Sequence, residues 1–190
     1  MCIRKQTSAL LVAGSLMALV GCSADSSAGD SKEPSSSTSA ASPSPSRTTA
    51  SPTADPGAAI EAAYRSYWDE KVKAYANGSV QGTQLKKFAV AEAYAEAEAE
   101  VKALKTKGLV ATGQPTLAPQ VTSVDTDQRV PRGALTDCAD VSDWKLVQQS
   151  DGKEVELPEE RLTKYVVKAA AEKWYGRWVI VKVTPQDKAC

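Results

Sequence analysis

Residues 56–190 predict an α+β domain, with two N-terminal helices packed on one face of a curved antiparallel sheet. Three observations predict it. Residues 56–107 carry apolar side chains at helical spacing. After Gly113 the pattern changes to short runs rich in β-branched residues, separated by turn signals. The 135 residues of this stretch are enough for one hydrophobic core.

The first helix begins at Asp55, a capping residue, followed by Pro56, whose missing N–H costs nothing at the first helical position. Ile60, Tyr64, Tyr67, Trp68, Val72 and Tyr75 fall near one stripe. Glu61/Arg65 and Asp69/Lys73 are i,i+4 pairs on the wetter side. Asn77-Gly78 closes the helix. A second helix is expected over 84–107. Its "AEAYAEAEAE" stretch alternates with period two, but Ala and Glu are strong helix formers and poor strand formers. Val90, Tyr94, Ala97, Val101 and Leu104 give its apolar stripe, a solvated Lys/Glu face is expected opposite, and Gly108 stops it.

Strands are expected over 116–125, 132–141, 144–149, 153–157, 161–171 and 177–184. Asp151-Gly152 in "SDGK" signals a hairpin, and "KWYGRW", residues 173–178, supplies the turn before the last strand. In that strand Val179, Val181 and Val183 fall on one face, with Trp178 and Ile180 on the other.

The N-terminus reads as a targeting segment, residues 1–21. Arg4 and Lys5 precede an apolar run, Ala9–Val20, that is shorter than the about 20 residues needed to span a bilayer. The run ends in "LVGC", which resembles the bacterial lipoprotein processing signal. That resemblance implies cleavage between Gly21 and Cys22 and lipidation of Cys22. The alternative is an ordinary secretory signal with an incidental cysteine. Several acyl chains on one residue would anchor the chain stably to the extracytoplasmic face of the cell membrane.

Residues 22–55 read as the lipidated cysteine and a disordered tether. Of the 32 residues 23–54, 26 are Ser, Thr, Pro or Ala, and none is aromatic. Such a chain buries too little apolar surface to offset its ordering entropy. As a flexible coil it would hold the domain roughly 30 Å from the membrane. Its Ser/Thr/Pro content also suits a glycosylated stalk.

The chain has 23 basic and 23 acidic residues and no histidine. Loss of Arg4 and Lys5 with residues 1–21 leaves 21 basic against 23 acidic, a charge of −2. That gives no electrostatic footprint for nucleic acid. The absence of histidine removes the usual general base and the commonest metal ligand. No cofactor or metal site is expected. The D-x-D-x-D-G spacing of a calcium loop is absent.

Paired helices, then strands, "TDCADVSDW" (136–144), "DGK", "GRWVIVKV" and a terminal cysteine together resemble the NTF2-like (cystatin-like) domains of secreted actinobacterial lipoproteins. The resemblance implies a conical sheet whose concave face meets the helices. Some relatives bind small molecules or catalyse reactions there, and others only pair with partners, so fold alone does not deliver function.

With Cys2 removed and Cys22 lipidated, Cys138 and Cys190 remain, and an oxidising compartment favours a disulfide between them. There is no C-x-x-C to support redox-active or metal-bound thiols. In a strand over 132–141, Cys138 and Asp140 point one way, and Asp137, Ala139 and Val141 the other. Asp143 belongs to the following turn. Tyr64, Tyr67, Trp68, Asp140 and Trp178 are the candidate pocket, with Trp174 nearby. Aromatics at such spacing are more often core. Asp140 on the concave side could act as a base; otherwise it is a turn-stabilising acid beside the disulfide.

These readings converge on a membrane-anchored, non-catalytic binding domain for a small molecule or an envelope protein. The alternatives are a structural module of the cell envelope, or a homodimer, using the sheet face, and an isomerase- or hydrolase-like enzyme with Asp140 as base.

Overall fold

The computed structural model describes residues 55–190; the expected signal segment, Gly21, Cys22 and the tether up to residue 54 lie outside the described residues. The fold is α+β, with helices followed by antiparallel sheets.

Helix α1 spans Pro56–Asn77. Asp55 caps it by accepting from the N–H groups of Gly57 and Ala58, at 3.0 and 3.3 Å. Gly78 ends it in the left-handed region, φ 61°, where a side chain would be strained. Ile60, Tyr64, Tyr67, Trp68 and Tyr75 are buried as the stripe requires. Lys73 pairs with Glu70 at 2.6 Å, three residues back, and not with Asp69 as the i,i+4 reading has it.

The expected second helix is two. A single turn, α2 (Leu85–Phe88), and α3 (Ala91–Thr106) flank a break at Ala89-Val90. There Ala89 bridges Ile180 and the Val90 N–H donates to the Ile180 carbonyl at 3.0 Å. Pairing with a buried strand outweighs the helix preference of the local sequence, and Ala91 restarts the helix from φ 48°.

The strands are β1 (Leu109–Thr112), β2 (Gln120–Asp125), β3 (Arg132–Asp140), β4 (Lys145–Gln148), β5 (Lys164–Trp174) and β6 (Arg177–Ala189). The four-stranded sheet has the order β2-β3-β5-β6, and β1 and β4 form a separate pair. Strand β1 is not in the sequence reading. Residues 153–157 are not a strand; within them Glu154 bridges Val147. The start of the expected 116–125 strand is reduced to a bridge between Thr116 and Asp140.

Two irregularities shape β6. Ala170 and Ala171 pair with Lys182 and Ile180, leaving Val181 as an extra residue. This bulge breaks the expected Val179/Val181/Val183 alternation and puts Val183 in the core cluster with Trp178 and Ile180. A second shift lies between Pro185 and Ala189, which pair with Val167 and Tyr165 of β5.

The main core joins Ile60, Tyr64, Tyr67 and Trp68 of α1 to Leu135, Val167 and Ile180 of the sheet. A smaller cluster of Ala74, Tyr75, Val101 and Ala111 lies under the β1–β4 pair. Helix and sheet come closest at Gly133, where a Cβ would stand 2.3 Å from the Ile60 Cδ1.

Candidate functional site

The candidate pocket divides into core, surface and, at Tyr67 and Trp68, the wall of one open cavity among several. Tyr64 and Tyr67 are 0% and 1% exposed. Their rings and that of Trp68 meet one another at centroid distances of 6.0–6.4 Å. Trp178 belongs to the same buried cluster. These aromatics fill the interior between α1 and the sheet.

Asp140 is not among them, which corrects its placement in the pocket. Leu135, Asp137 and Ala139 share the buried face of β3, so Asp140 takes the outer face with Cys138. It accepts from the Ser142 hydroxyl and N–H at 2.6 and 3.0 Å. Those two bonds hold its carboxyl below the ordinary value. It is the turn-stabilising acid, outside the aromatic cluster of the candidate pocket.

The buried acid is Asp137, 1% exposed. The Tyr64 hydroxyl donates to Oδ2 at 3.0 Å and the Ala118 N–H to Oδ1 at 2.6 Å. Burial pushes its carboxyl up, against the lowering effect of those bonds. The Tyr64 phenol is also raised, first by burial and then by the Asp137 charge. Both oxygens of Asp137 are engaged by the protein, as befits a structural acid.

Cys138 and Cys190 stand in disulfide geometry, with sulfurs 2.11 Å and Cα atoms 5.9 Å apart. Strand β5 lies between β3 and β6, so the link crosses it: Cys138 is in register with Val166, and Ala189 with Tyr165. The last strand runs five residues beyond its expected end at 184, and no free tail precedes Cys190.

The open cavity, about 230 Å³, lies where α1 and α3 meet β5 and β6. Tyr67, Trp68, Tyr75, Trp144 and Tyr165 line it, with Lys71, Glu96 and Glu100. Lys71 sits at 8% exposure in the apolar stripe of α1. Its ammonium lies 5.0 Å from the Trp68 ring centroid, 5.4 Å from Tyr75 and 5.9 Å from Tyr67. Its anionic partner is Glu100 of α3, at 3.0 Å. Burial would depress the Lys71 pKa, but Tyr67 and Glu100 outweigh it and hold the pKa above the ordinary value. The Tyr75 hydroxyl also donates to Glu100. Glu100 itself is 52% exposed, so it closes the cavity from the solvent side.

Of the expected residues, only Tyr67 and Trp68 line this cavity. Lys71, Tyr75, Glu100, Trp144 and Tyr165 are additions from the structure. One signal for them was readable: a lysine at a stripe position, four residues after Tyr67 and four before Tyr75.

Among the described residues, no group of three or more His, Cys, Asp or Glu could hold a metal ion, and no helix is long and apolar enough to cross a membrane. No family model matches the chain, and no curated protein does. Among solved structures it is similar to the intermembrane space region of the chloroplast protein ARC6, at 13% identity and a TM-score of 0.46, over 70% of this chain and 97% of that one. At that score the likeness is too slight to bear on function.

Proposed function

We propose that this chain is an extracytoplasmic lipoprotein, anchored through Cys22, whose NTF2-like domain binds a small molecule without transforming it. The ligand would carry an anionic head and an apolar body. The cavity at Lys71 carries this reading. A carboxylate entering it would take the place of Glu100 on the ammonium, exchanging one charge-assisted bond for another. Glu100 can yield because it is half exposed and would return to water. Aromatic walls receive the apolar part. An apolar cavity on the order of 150 Å³ holds benzene, so about 230 Å³ suits a single-ring or short-chain acid.

Native mass spectrometry of the chain from residue 22 onward, released from its own host's membranes, tests the binding. A small-molecule adduct lost on denaturation, and lost in Lys71→Met, supports the reading. A bare mass, with no binding of benzoate as a probe acid, sinks it. Cys22→Ala tests the anchor separately: the protein should leave the membrane fraction, and retention refutes lipidation.

A second reading is capture of an envelope partner, or a second copy, on the outer sheet face. It is favoured by a shallow groove of about 360 Å³ across that face, where Ala134, Ala170 and Val181 lie beside the Arg132–Glu172 ion pair. Cross-linking in intact envelopes, from a residue placed at Ala170, distinguishes it from the small-molecule reading.

A further inference from the structure

The β5–β6 connection is a two-residue hairpin turn, with Trp174 paired to Arg177 across Tyr175 and Gly176. Both turn residues have positive φ, 50° for Tyr175 and 84° for Gly176. Such turns favour Asn-Gly or Asp-Gly, because a bulky residue at positive φ is strained. Here the strained position holds a tyrosine that is 98% exposed, making it the most exposed of the large apolar side chains. Trp174 beside it is 38% exposed. Lys173 and Arg177 flank the pair, so the tip's own charges are both positive. The acid nearest in sequence, Glu172, accepts from the Trp174 indole N–H at 2.9 Å and pairs with Arg132 at 3.5 Å.

The tip lies at the end of the domain where the chain enters. One groove of about 400 Å³ is lined by Pro56 and Ala59 from the first turn of α1 and by Lys173, Gly176 and Arg177 from the hairpin. The 33 residues 22–54 therefore join the domain beside this tip. A bilayer holding Cys22 lies within their reach, since 33 residues can extend to about 110 Å.

We propose that Lys173–Arg177 is a membrane-contact site, with Trp174 and Tyr175 seated at the interface of an anionic bilayer and Lys173 and Arg177 at its phosphates. Amphipathic aromatic rings favour the headgroup level, and basic residues near an anionic surface are drawn to its phosphates. The contact would fix the orientation of the domain at the bilayer. It rests on the lipid-anchored reading above.

The test supplies the anchor chemically, so that failure of lipidation and failure of the contact are read apart. With Cys138 and Cys190 joined, Cys22 is the free thiol of the chain from residue 22 onward. It is coupled to a maleimide lipid in phosphatidylglycerol/phosphatidylcholine vesicles with brominated acyl chains, and tryptophan emission is read. Trp68 and Trp178 are buried and Trp144 half-buried, leaving Trp174 as the accessible reporter. The expected result is loss of the Trp174 share of emission, reversed by high salt. It should vanish in Trp174→Phe, and in a Lys173→Glu/Tyr175→Ser/Arg177→Glu variant that keeps Trp174 and a wild-type circular dichroism spectrum. Unquenched wild type, quenching that survives in either variant, or a tip that ignores vesicles but cross-links to an envelope protein would each overturn the proposal.

Discussion

The hydroxyl of Tyr64 on α1 donates to the buried carboxylate of Asp137 on β3 at 3.0 Å, joining helix to sheet through the middle of the core. This bond holds an acid where charge is disfavoured, and stability should record it. Burial raises the Asp137 pKa in the folded state above the unfolded value of about 4. Between those two values the folded chain holds the proton more tightly than the unfolded chain. Wild-type stability therefore gains as pH falls through that window. Asp137→Asn cannot titrate, and its single acceptor oxygen either loses one of the two donors, at a cost of about 1–3 kcal/mol, or makes the Tyr64 hydroxyl turn to accept from the amide. The gap between wild type and variant should widen as pH drops from 7 toward 4, as read from urea midpoints. A narrowing gap would mean that the carboxylate is stabilised in its charged form.

The disulfide should be a large single contributor. It closes a separation of 52 residues, for which the chain-entropy relation gives about 4 kcal/mol as an upper figure. The unreduced, denatured chain should show no thiol from Cys138 or Cys190. Cys138→Ser/Cys190→Ser should lower the urea midpoint by a corresponding amount. Because the link crosses β5 to reach β6, hydrogen exchange should speed up first at 185–189. Two free thiols in the native protein would refute the link.

Gly113 and Gly152 share a backbone conformation, φ 74° and 72°, but not an environment. A Cβ on Gly113 would stand 1.9 Å from the Asp143 carbonyl oxygen, which is backbone and cannot swing away. A Cβ on Gly152 meets nothing within 4 Å. Gly152→Ala should cost only the about 1–2 kcal/mol of a left-handed alanine. Gly113→Ala should cost clearly more, because the loop after β3 must move. Equal losses in thermal unfolding would show that the contact at Asp143 is soft.

The helical half of the domain was legible in the sequence wherever local signals and burial agree. Asp55-Pro56 and Asn77-Gly78 bound α1 because capping chemistry is local. The break at Ala89-Val90 was not legible, since its cause is a hydrogen bond to Ile180, about 90 residues away in sequence. Strand parity in 132–141 was legible, and so were its two groups of residues. Choosing the buried group needed the weight of Leu135, Ala139 and Val141, which side with Asp137 and leave Asp140 outside. The extra residue at Val181 shifted Val183 between faces, and no turn residue marks that bulge. The cavity was missed because its charged members come from different helices, Lys71 from α1 and Glu96 and Glu100 from α3, and each alone reads as a solvated face.

Lys71 gives the sharpest separation of stability from function. Its ammonium is buried, but its partner Glu100 is half exposed. Replacing a buried charge with an apolar side chain of similar length removes the desolvation penalty together with the pairing energy, and the balance is often neutral or favourable. Glu100 keeps the Tyr75 hydroxyl as a donor and is half exposed, so it strands no charge in the core. Methionine also keeps contact with the Tyr67, Trp68 and Tyr75 rings through its sulfur. Lys71→Met should therefore unfold within about 1 kcal/mol of wild type, or later, and lose benzoate binding. Glu100→Gln removes the competing carboxylate and should bind benzoate more tightly. Calorimetric titration of both variants, beside their unfolding curves, checks this. Loss of binding accompanied by loss of fold in Lys71→Met would make the lysine a structural residue, and unchanged affinity in Glu100→Gln would remove the exchange of carboxylates from the account of the site.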